Sequence, residues 1–482
     1  MWDDWGIASR LFINEYSRAF EISRSHDPHF VIHQEEWKIM VGDPTRRDFL
    51  QAAGTTLALA SFPGSAEVIL PSARPLKVAA VTSVYHYLSH AYHIVGRFLD
   101  GFDIPGRGIY RPDVEISSLF IEQTADATDL GRDKAKQHGV RLSPTIADAL
   151  TLGTGKLAVD AVLLIAEHGD YPFNAKLQKL YPRYRFFNEI TKVFETSGRS
   201  VPVFNDKHLS YSRTEAAEMV ATAQKLKFPL MAGSSLPITW RLPALEIPLG
   251  RTFDEVLVAS RGDIEIFGFH ALETLQCMAE RRDQKGKPQG VVAVTCLERD
   301  AVWEAADKRR WSRDLLEHAL NRSHSLNPGD IRQNTRDFLA PEGKDRFTRL
   351  RHPIAFLVEY ADGLKATALI LNGHVDDTTV AVKLGGDRPG IASTLMYLPA
   401  PPGARFFDPL VMRVEDFFKT GKPTYPVERT QLTGGILDAA LESRIQGNKR
   451  IETPDLAAID YEAPTDSGFI RTPLASEARN PV

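Results

Sequence analysis

The chain has 482 residues, 43% of them hydrophobic and 25% charged, with a formal net charge of -4. That length suits about two to three globular domains, and the lack of a basic surplus argues against nucleic acid as the main partner. No run of about eighteen apolar residues occurs, so no membrane span is predicted.

Thr45-Arg-Arg-Asp-Phe-Leu50 precedes the weakly apolar, small-residue stretch Gln51 to Ala60. Paired arginines before such a core look like a twin-arginine export signal, with cleavage after Ala60 or after Ala66. More than forty residues precede Arg46, so 1–44 reads as an N-terminal extension and 45–72 as signal and linker. Export to the periplasm is the expectation, with the cytoplasm as the alternative.

Lys77 to Thr82 predicts a first strand, Tyr87 to Leu99 a helix and Val114 to Glu122 a second strand. Asp129 to His138 is a short helix stopped by Gly139, Ser143-Pro144 opens another, and Ala158 to Ala166 is the most apolar strand. A helix from Phe186 to Ser197 ends at Gly198. The strand Val201 to Phe204, the helix Tyr211 to Leu226 and the strand Leu230 to Ala232 follow. Such alternation implies right-handed βαβ units in a mostly parallel sheet. From Ile238 the pattern changes. Strands at Arg251 to Ala259 and Val291 to Leu297 flank a helix from Gly268 to Glu280. Ile354 to Tyr360, Leu364 to Leu371, Thr378 to Leu384 and Ala392 to Leu398 read as strands, with a hairpin signal at Asp362-Gly363. These imply an antiparallel sheet in an α+β domain. The helix Thr430 to Gln446 carries an apolar stripe, and the polar tail beyond Pro454 is expected to lie over the surface or fray. The domain limits are 73–236 and 237–446, with a tail at 447–482. Cys277 and Cys296 read as buried thiols, a single disulfide being the alternative, and no cysteine pair has metal-site spacing.

The chemistry gathers at strand ends. Val201-Pro-Val-Phe-Asn-Asp-Lys-His-Leu-Ser210 is a short apolar strand that runs straight into Asn205, Asp206, Lys207 and His208. Open α/β sheets place ligands at the carboxyl ends of such strands. A lysine there serves as a proton shuttle or fixed charge, the plainer alternative being one more solvated lysine. Glu167, His168 and Asp170 crowd the end of the most apolar strand and read as site-lining, although turn chemistry at Gly169 and Pro172 accounts for part of them. His86, His90 and His93 share one face if their stretch is helical, a spacing suited to zinc or another divalent ion; histidines packed on aromatics are the alternative. Gly153-Thr-Gly-Lys156 is no phosphate loop, since Leu157 stands where Ser or Thr should and a strand follows it. No Gly-x-Ser-x-Gly occurs, so a common serine hydrolase is unsupported.

Over about Lys77 to Pro454 the chain resembles the glucose–fructose oxidoreductase, inositol dehydrogenase and MocA family. Three segments carry the resemblance: Val159 to Ala166 with Val201 to Leu209, Gly268-Phe-His270-Ala-Leu-Glu273, and Tyr425-Pro-Val-Glu-Arg-Thr430 with Gly434 to Ser443. Lys207 falls on the family's lysine beside the nicotinamide, with Asp206 for its glutamate and His208 for its proline. His270 and Glu273 match its Gly-x-His-x-x-Asp. The resemblance implies an α/β Rossmann-like N-terminal domain with a mostly parallel sheet, plus a C-terminal α+β domain with a mainly antiparallel sheet. It further implies NAD or NADP as cofactor, a small-molecule sugar or polyol as substrate, and a homo-oligomer. The implied catalytic residues are Lys207 and His270. Thr82, Ser83, Glu122, Glu167, His168 and Asp206 would touch the cofactor, and His208, Asp170 and Glu273 the substrate. Two departures stand out. The first turn, Val81 to His90, lacks the family's glycines, which places Tyr85 and Tyr87 where phosphates should lie. The family's second catalytic carboxylate falls on Ile266, with Glu265 one residue off and facing elsewhere if the segment is extended. The alternative is a non-redox carbohydrate-binding or metal-dependent protein on the same scaffold.

Overall fold

The computed structural model describes residues 74–124, 128–336, 352–399 and 403–471. The N-terminal extension, the twin-arginine motif and its cleavage sites lie outside the described residues. Among those described, no helix is long and apolar enough to cross a membrane.

The first sheet contains β1 (Leu76–Thr82), β2 (Val114–Ile121), β3 (Arg141–Leu142), β4 (Ala161–Ile165), β5 (Val203–Asp206) and β6 (Leu230–Gly233), in the order β3-β2-β1-β4-β5-β6. Every pairing is parallel. All five residues of β4 are buried, as expected for a parallel strand covered on both faces. Alternate residues of β1 enter different cores. Val78 and Ala80 pack with α1 (His90–Asp100), whereas Ala79 and Val81 pack with α3 (Ile146–Thr151), α4 (Arg183–Ser197) and α5 (Arg213–Leu226). The small helix α2 (Gly131–His138) precedes β3 and stops at the left-handed Gly139. This strand order is that of a dinucleotide-binding fold. Its build direction reverses between β1 and β4, which opens a crevice at their carboxyl ends.

The second sheet has β7 (Trp240–Leu242), β8 (Phe253–Ser260), β9 (Val291–Glu298), β10 (Ile354–Tyr360), β11 (Lys365–Ile370), β12 (Thr378–Leu384), β13 (Gly390–Tyr397) and β14 (Ile451–Glu452), ordered β14-β9-β10-β11-β8-β12-β13-β7. Only the β8–β11 pair is parallel. The Asp362-Gly363 hairpin forms as expected between β10 and β11, with Gly363 at φ 91°. The α6 helix (Ile266–Ala279) and α10 (Val427–Ile445) cover one face; α7 (Asp300–Asp307) and α8 (Arg313–Leu320) cover the other. The chain is thus an α/β domain with a parallel sheet followed by an α+β domain with a mainly antiparallel one.

Three details differ from the sequence reading. The first helix starts at His90, because Ser89 caps it by accepting the Tyr92 N–H. No element was assigned to 300–320 or 407–420, yet both are helical. The second segment, α9 (Phe407–Thr420), lays Phe407, Leu410, Val411 and Val414 on the first sheet, into one core with Val78, Ala80, Leu163 and Phe204. The tail is pinned through residue 471: Arg281 donates to the Pro464 and Thr465 carbonyls, and Phe469 is buried beneath Arg241. Cys277 and Cys296 are free and buried. Burial pushes the Cys277 thiol up to about 11 and Cys296 higher still, so neither is reactive.

Candidate active site

At the end of β5 the chain turns at Lys207, whose φ of 70° places a long side chain in the left-handed region. Strain of this kind, about 1–3 kcal/mol, concentrates where surroundings over-determine a functional conformation. Here the Lys207 N–H is held by the Gly233 carbonyl at 3.1 Å. The turn aims the amine across the domain boundary, so that Nζ lies 2.6 Å from Nε2 of His270 on α6. His270 Nδ1 lies 2.9 Å from Oγ of Ser234, the residue after β6. Ser234 presents both its N–H and its hydroxyl to the Glu273 carboxylate. With the hydroxyl proton on that carboxylate, Oγ accepts from Nδ1–H of His270, and Nε2 is left to accept from Lys207. Burial, then Lys207, push the His270 imidazole well below its ordinary range, which keeps it neutral. Burial pushes the Glu273 carboxyl up to about 7.

A second polar cluster backs this one. His90, at the first position of α1, meets Asp206 at 2.6 Å through Nδ1. His168 follows β4 at φ 70°, and its ring lies 5.2 Å from His90 and 5.8 Å from His86. Glu167 and Arg183 form a buried ion pair. Burial would raise the Glu167 carboxyl, but Arg183, Lys207 and neighbouring histidines hold it well below the usual range. Arg183 also reaches His208 Nε2 at 3.3 Å, and His208 stands 3.5 Å from Glu265. Glu265 is at the start of α6 in helical backbone, so it faces this cluster and not elsewhere, correcting the extended-segment expectation. Burial, then the Glu167 charge, push its carboxyl up to about 7.

The remaining candidates divide. Thr82 donates to the Phe120 carbonyl, and Ser83 to those of Glu167 and His168, so both hydroxyls brace the strand ends. Glu122 closes β2, paired with Arg185 and with the Tyr171 hydroxyl at 2.5 Å. Asp170 is exposed on the loop after β4, its N–H held by Gln123. Glu273 faces Ser234 from a buried position one turn after His270. Arg183 and Ser234 escaped the sequence reading, and Glu265 entered it only as the carboxylate one residue off the family's position. Nothing local marks a buried charge, although Ser234 directly follows an apolar strand.

The histidine triad does not form. His86 precedes the helix and turns Nδ1 to the Tyr87 carbonyl, while His93 stacks on Phe407 at 4.9 Å. Among the described residues, no group of three His, Cys, Asp or Glu is placed to hold a metal ion. Burial, then Arg97, push His93 down to about 3 from 6.5. Between these values the unfolded chain binds a proton that the folded chain refuses. This contribution is therefore complete above about pH 6.5 and lost as pH falls towards 3. His93→Gln is expected to flatten the acid limb of stability by about 1.4 kcal/mol per pH unit in that window. Urea unfolding at pH 6.5 and 4.5 reads the difference; equal slopes in the two proteins would contradict it.

The residues present fit a dinucleotide at three points. Glu122 stands at the end of β2, where the acid for the adenosine ribose belongs. The N–H groups at the start of α1 lack helical carbonyl partners and, that of Tyr92 apart, would suit a diphosphate. His168 Nδ1 and Asp206 Oδ1 are buried without a hydrogen-bond partner beside Lys207. The glycine-free turn does not put Tyr85 in this space: it turns inward into the core with Ile94, which corrects the expectation for that residue, while Tyr87 is exposed with its ring against Tyr92.

No family model matches the chain, and no curated protein matches it. Similar solved structures include GenD2 from gentamicin A biosynthesis in complex with NAD, at 17% identity, covering 79% of this chain and 97% of that one, TM-score 0.47. The WlbA dehydrogenase from Chromobacterium violaceum, in complex with NADH and UDP-GlcNAcA, is 12% identical over 82% and 100%, TM-score 0.47. Myo-inositol dehydrogenase from Lactobacillus casei, in complex with NAD(H) and myo-inositol, is 12% identical over 79% and 97%, TM-score 0.46.

Proposed function

We propose that this chain is an NAD(P)-dependent oxidoreductase acting on a secondary hydroxyl of a sugar or polyol. The observation that carries the reading is the 2.6 Å contact between Lys207 and His270 at the carboxyl end of β5. An amine and a neutral imidazole in contact, in a crevice between two domains, form a proton-handling pair for a carbinol oxygen. Lys207 hydrogen-bonds that oxygen and takes its proton, and His270 orients the amine. Glu122 would hold the adenosine ribose, the start of α1 the diphosphate, and Asp206 with His168 the nicotinamide riboside. When bound, the nicotinamide supplies the hydride acceptor. His208 and Asp170 remain the substrate-side candidates, the first held beside Lys207 by Arg183. The twin-arginine motif supports export to the periplasm, and the fold resemblance supports a homo-oligomer.

A second reading, carbohydrate binding without redox chemistry, draws on one observation: the β1–α1 turn offers no glycine for close approach of a diphosphate to the backbone. Nucleotide release by acid from the purified protein, with thermal shifts in NAD(H) and NADP(H), separates the two. The oxidoreductase predicts a bound nucleotide or, at a ligand concentration 100-fold above Kd, about 2.7 kcal/mol of added stability. A protein with no nucleotide and no shift is a carbohydrate binder at most.

A further inference from the structure

We propose that Ser234 and Glu273 are the far end of a four-residue proton relay that begins at the Lys207 amine. The proton leaving the substrate is thereby stored on a buried carboxylate. The proposal deepens the oxidoreductase reading and rests on it.

The geometry is continuous. Lys207 Nζ contacts His270 Nε2 at 2.6 Å, His270 Nδ1 contacts Ser234 Oγ at 2.9 Å, and the Ser234 hydroxyl is bonded to Glu273. The four residues come from three places: Lys207 from the end of β5, His270 and Glu273 from the helix α6, and Ser234 from the loop after β6. Their meeting depends on Gly233. At φ 131°, a Cβ there would lie 2.5 Å from the Tyr425 hydroxyl and 2.7 Å from Glu273 Oε1. Ser234 and Glu273 are both essentially inaccessible to water. Among the described residues, the hydrogen bonds that link this buried carboxylate to Lys207 run through Ser234 and His270. Arg429 of α10, Tyr425 just before that helix and the Lys207 amine also face Glu273, with His270 one turn before it.

In the oxidation, the carbinol C–H electron pair leaves as hydride to the nicotinamide, and the O–H pair becomes the second bond of the carbonyl. The hydroxyl proton passes to Lys207 Nζ. A proton moves from Nζ to His270 Nε2, the Nδ1 proton moves to Ser234 Oγ, and the Ser234 proton moves to Glu273 Oε2. Lys207, His270 and Ser234 finish with the number of protons they began with. Glu273 gains one, and the imidazole changes tautomer. Burial supports the last step, since a carboxyl held near 7 exchanges its proton close to neutrality.

Ser234 and Glu273 are positioning residues that act through His270, so the test needs a readout beyond turnover. In 15N-histidine-labelled protein without added cofactor, with His270 assigned through His270→Gln, the expected state is the Nδ1–H tautomer. Ser234→Ala is expected to shift it towards Nε2–H and to lower kcat on the order of 10²-fold with KM within about twofold, and Ser234→Thr to restore both. Glu273→Gln keeps a hydrogen-bond acceptor but cannot store the proton, so kcat falls while the tautomer stays; this variant carries the test if Ser234→Ala does not fold. A wild type that turns over but shows Nε2–H overturns the relay alone. A wild type with the expected tautomer and no turnover with NAD or NADP overturns the oxidoreductase reading and the relay's role with it.

Discussion

Lys207→Met is expected to abolish sugar or polyol oxidation while leaving the fold intact. General acid–base groups contribute on the order of 10²–10⁴ to rate, and no other amine contacts His270 among the described residues. Methionine matches the length of the stem and inherits the same left-handed backbone, so strain at φ 70° is unchanged by the substitution. The imidazole acceptor loses one hydrogen bond, about 1 kcal/mol, partly offset by no longer burying a polar amine. Steady-state turnover and a melting curve decide the matter. A stability loss of about 3 kcal/mol or more would make Lys207 a structural residue. Residual activity within tenfold of wild type would remove it from the chemistry.

The largest stability effect is expected from Arg183→Met. Arg183 and Glu167 are both buried, and the guanidinium also meets His208. Removing one partner of a buried pair leaves the other as an uncompensated charge, which costs about 3–5 kcal/mol. With Arg183 gone, the Glu167 carboxyl loses the cation that holds it low and moves up with burial. The sign of the pH effect follows. In the variant the folded state takes up a proton more readily than the unfolded chain, so the deficit narrows as pH falls through the carboxylate range. Adding Glu167→Gln is expected to recover much of the loss. Urea unfolding of the single and double variants measures both. A single variant within about 1 kcal/mol of wild type would mean that the pair is solvated.

Five of the six strands of the first sheet were legible from apolar stretches between turn residues, most clearly Ala161–Ile165, whereas the two-residue β3 (Arg141–Leu142) has no such signal. Lys207 and His270 were legible because one ends such a run and the other belongs to a short motif. Their contact was not, since it depends on how α6 meets the end of β5. The direction of Glu265 turned on a local feature: an extended segment would face it elsewhere, but Asp263 accepts the N–H groups of Glu265 and Ile266 and starts the helix there. The histidine triad failed on the helix start, which falls three residues later than expected, because the cap at Ser89 leaves His86 outside. Tyr85 shows the limit of reasoning by position in a motif. A missing glycine says that a side chain is present, not that it points at the ligand. Arg183, Ser234 and α9 were hidden because their partners lie far away in sequence, and an amphipathic stretch does not name the face it covers.

That distant partnership of α9 bears on biosynthesis. The β1 strand leaves the ribosome about 340 residues before the helix that seals one side of its sheet. At about 5–20 residues per second, the gap lasts roughly 20 to 70 s. Until that helix emerges, the face that carries Val78, Ala80, Leu163 and Phe204 is covered by α1 without α9, so the nascent chain exposes apolar surface there. A chain stopped before Phe407 would keep that sticky face for good.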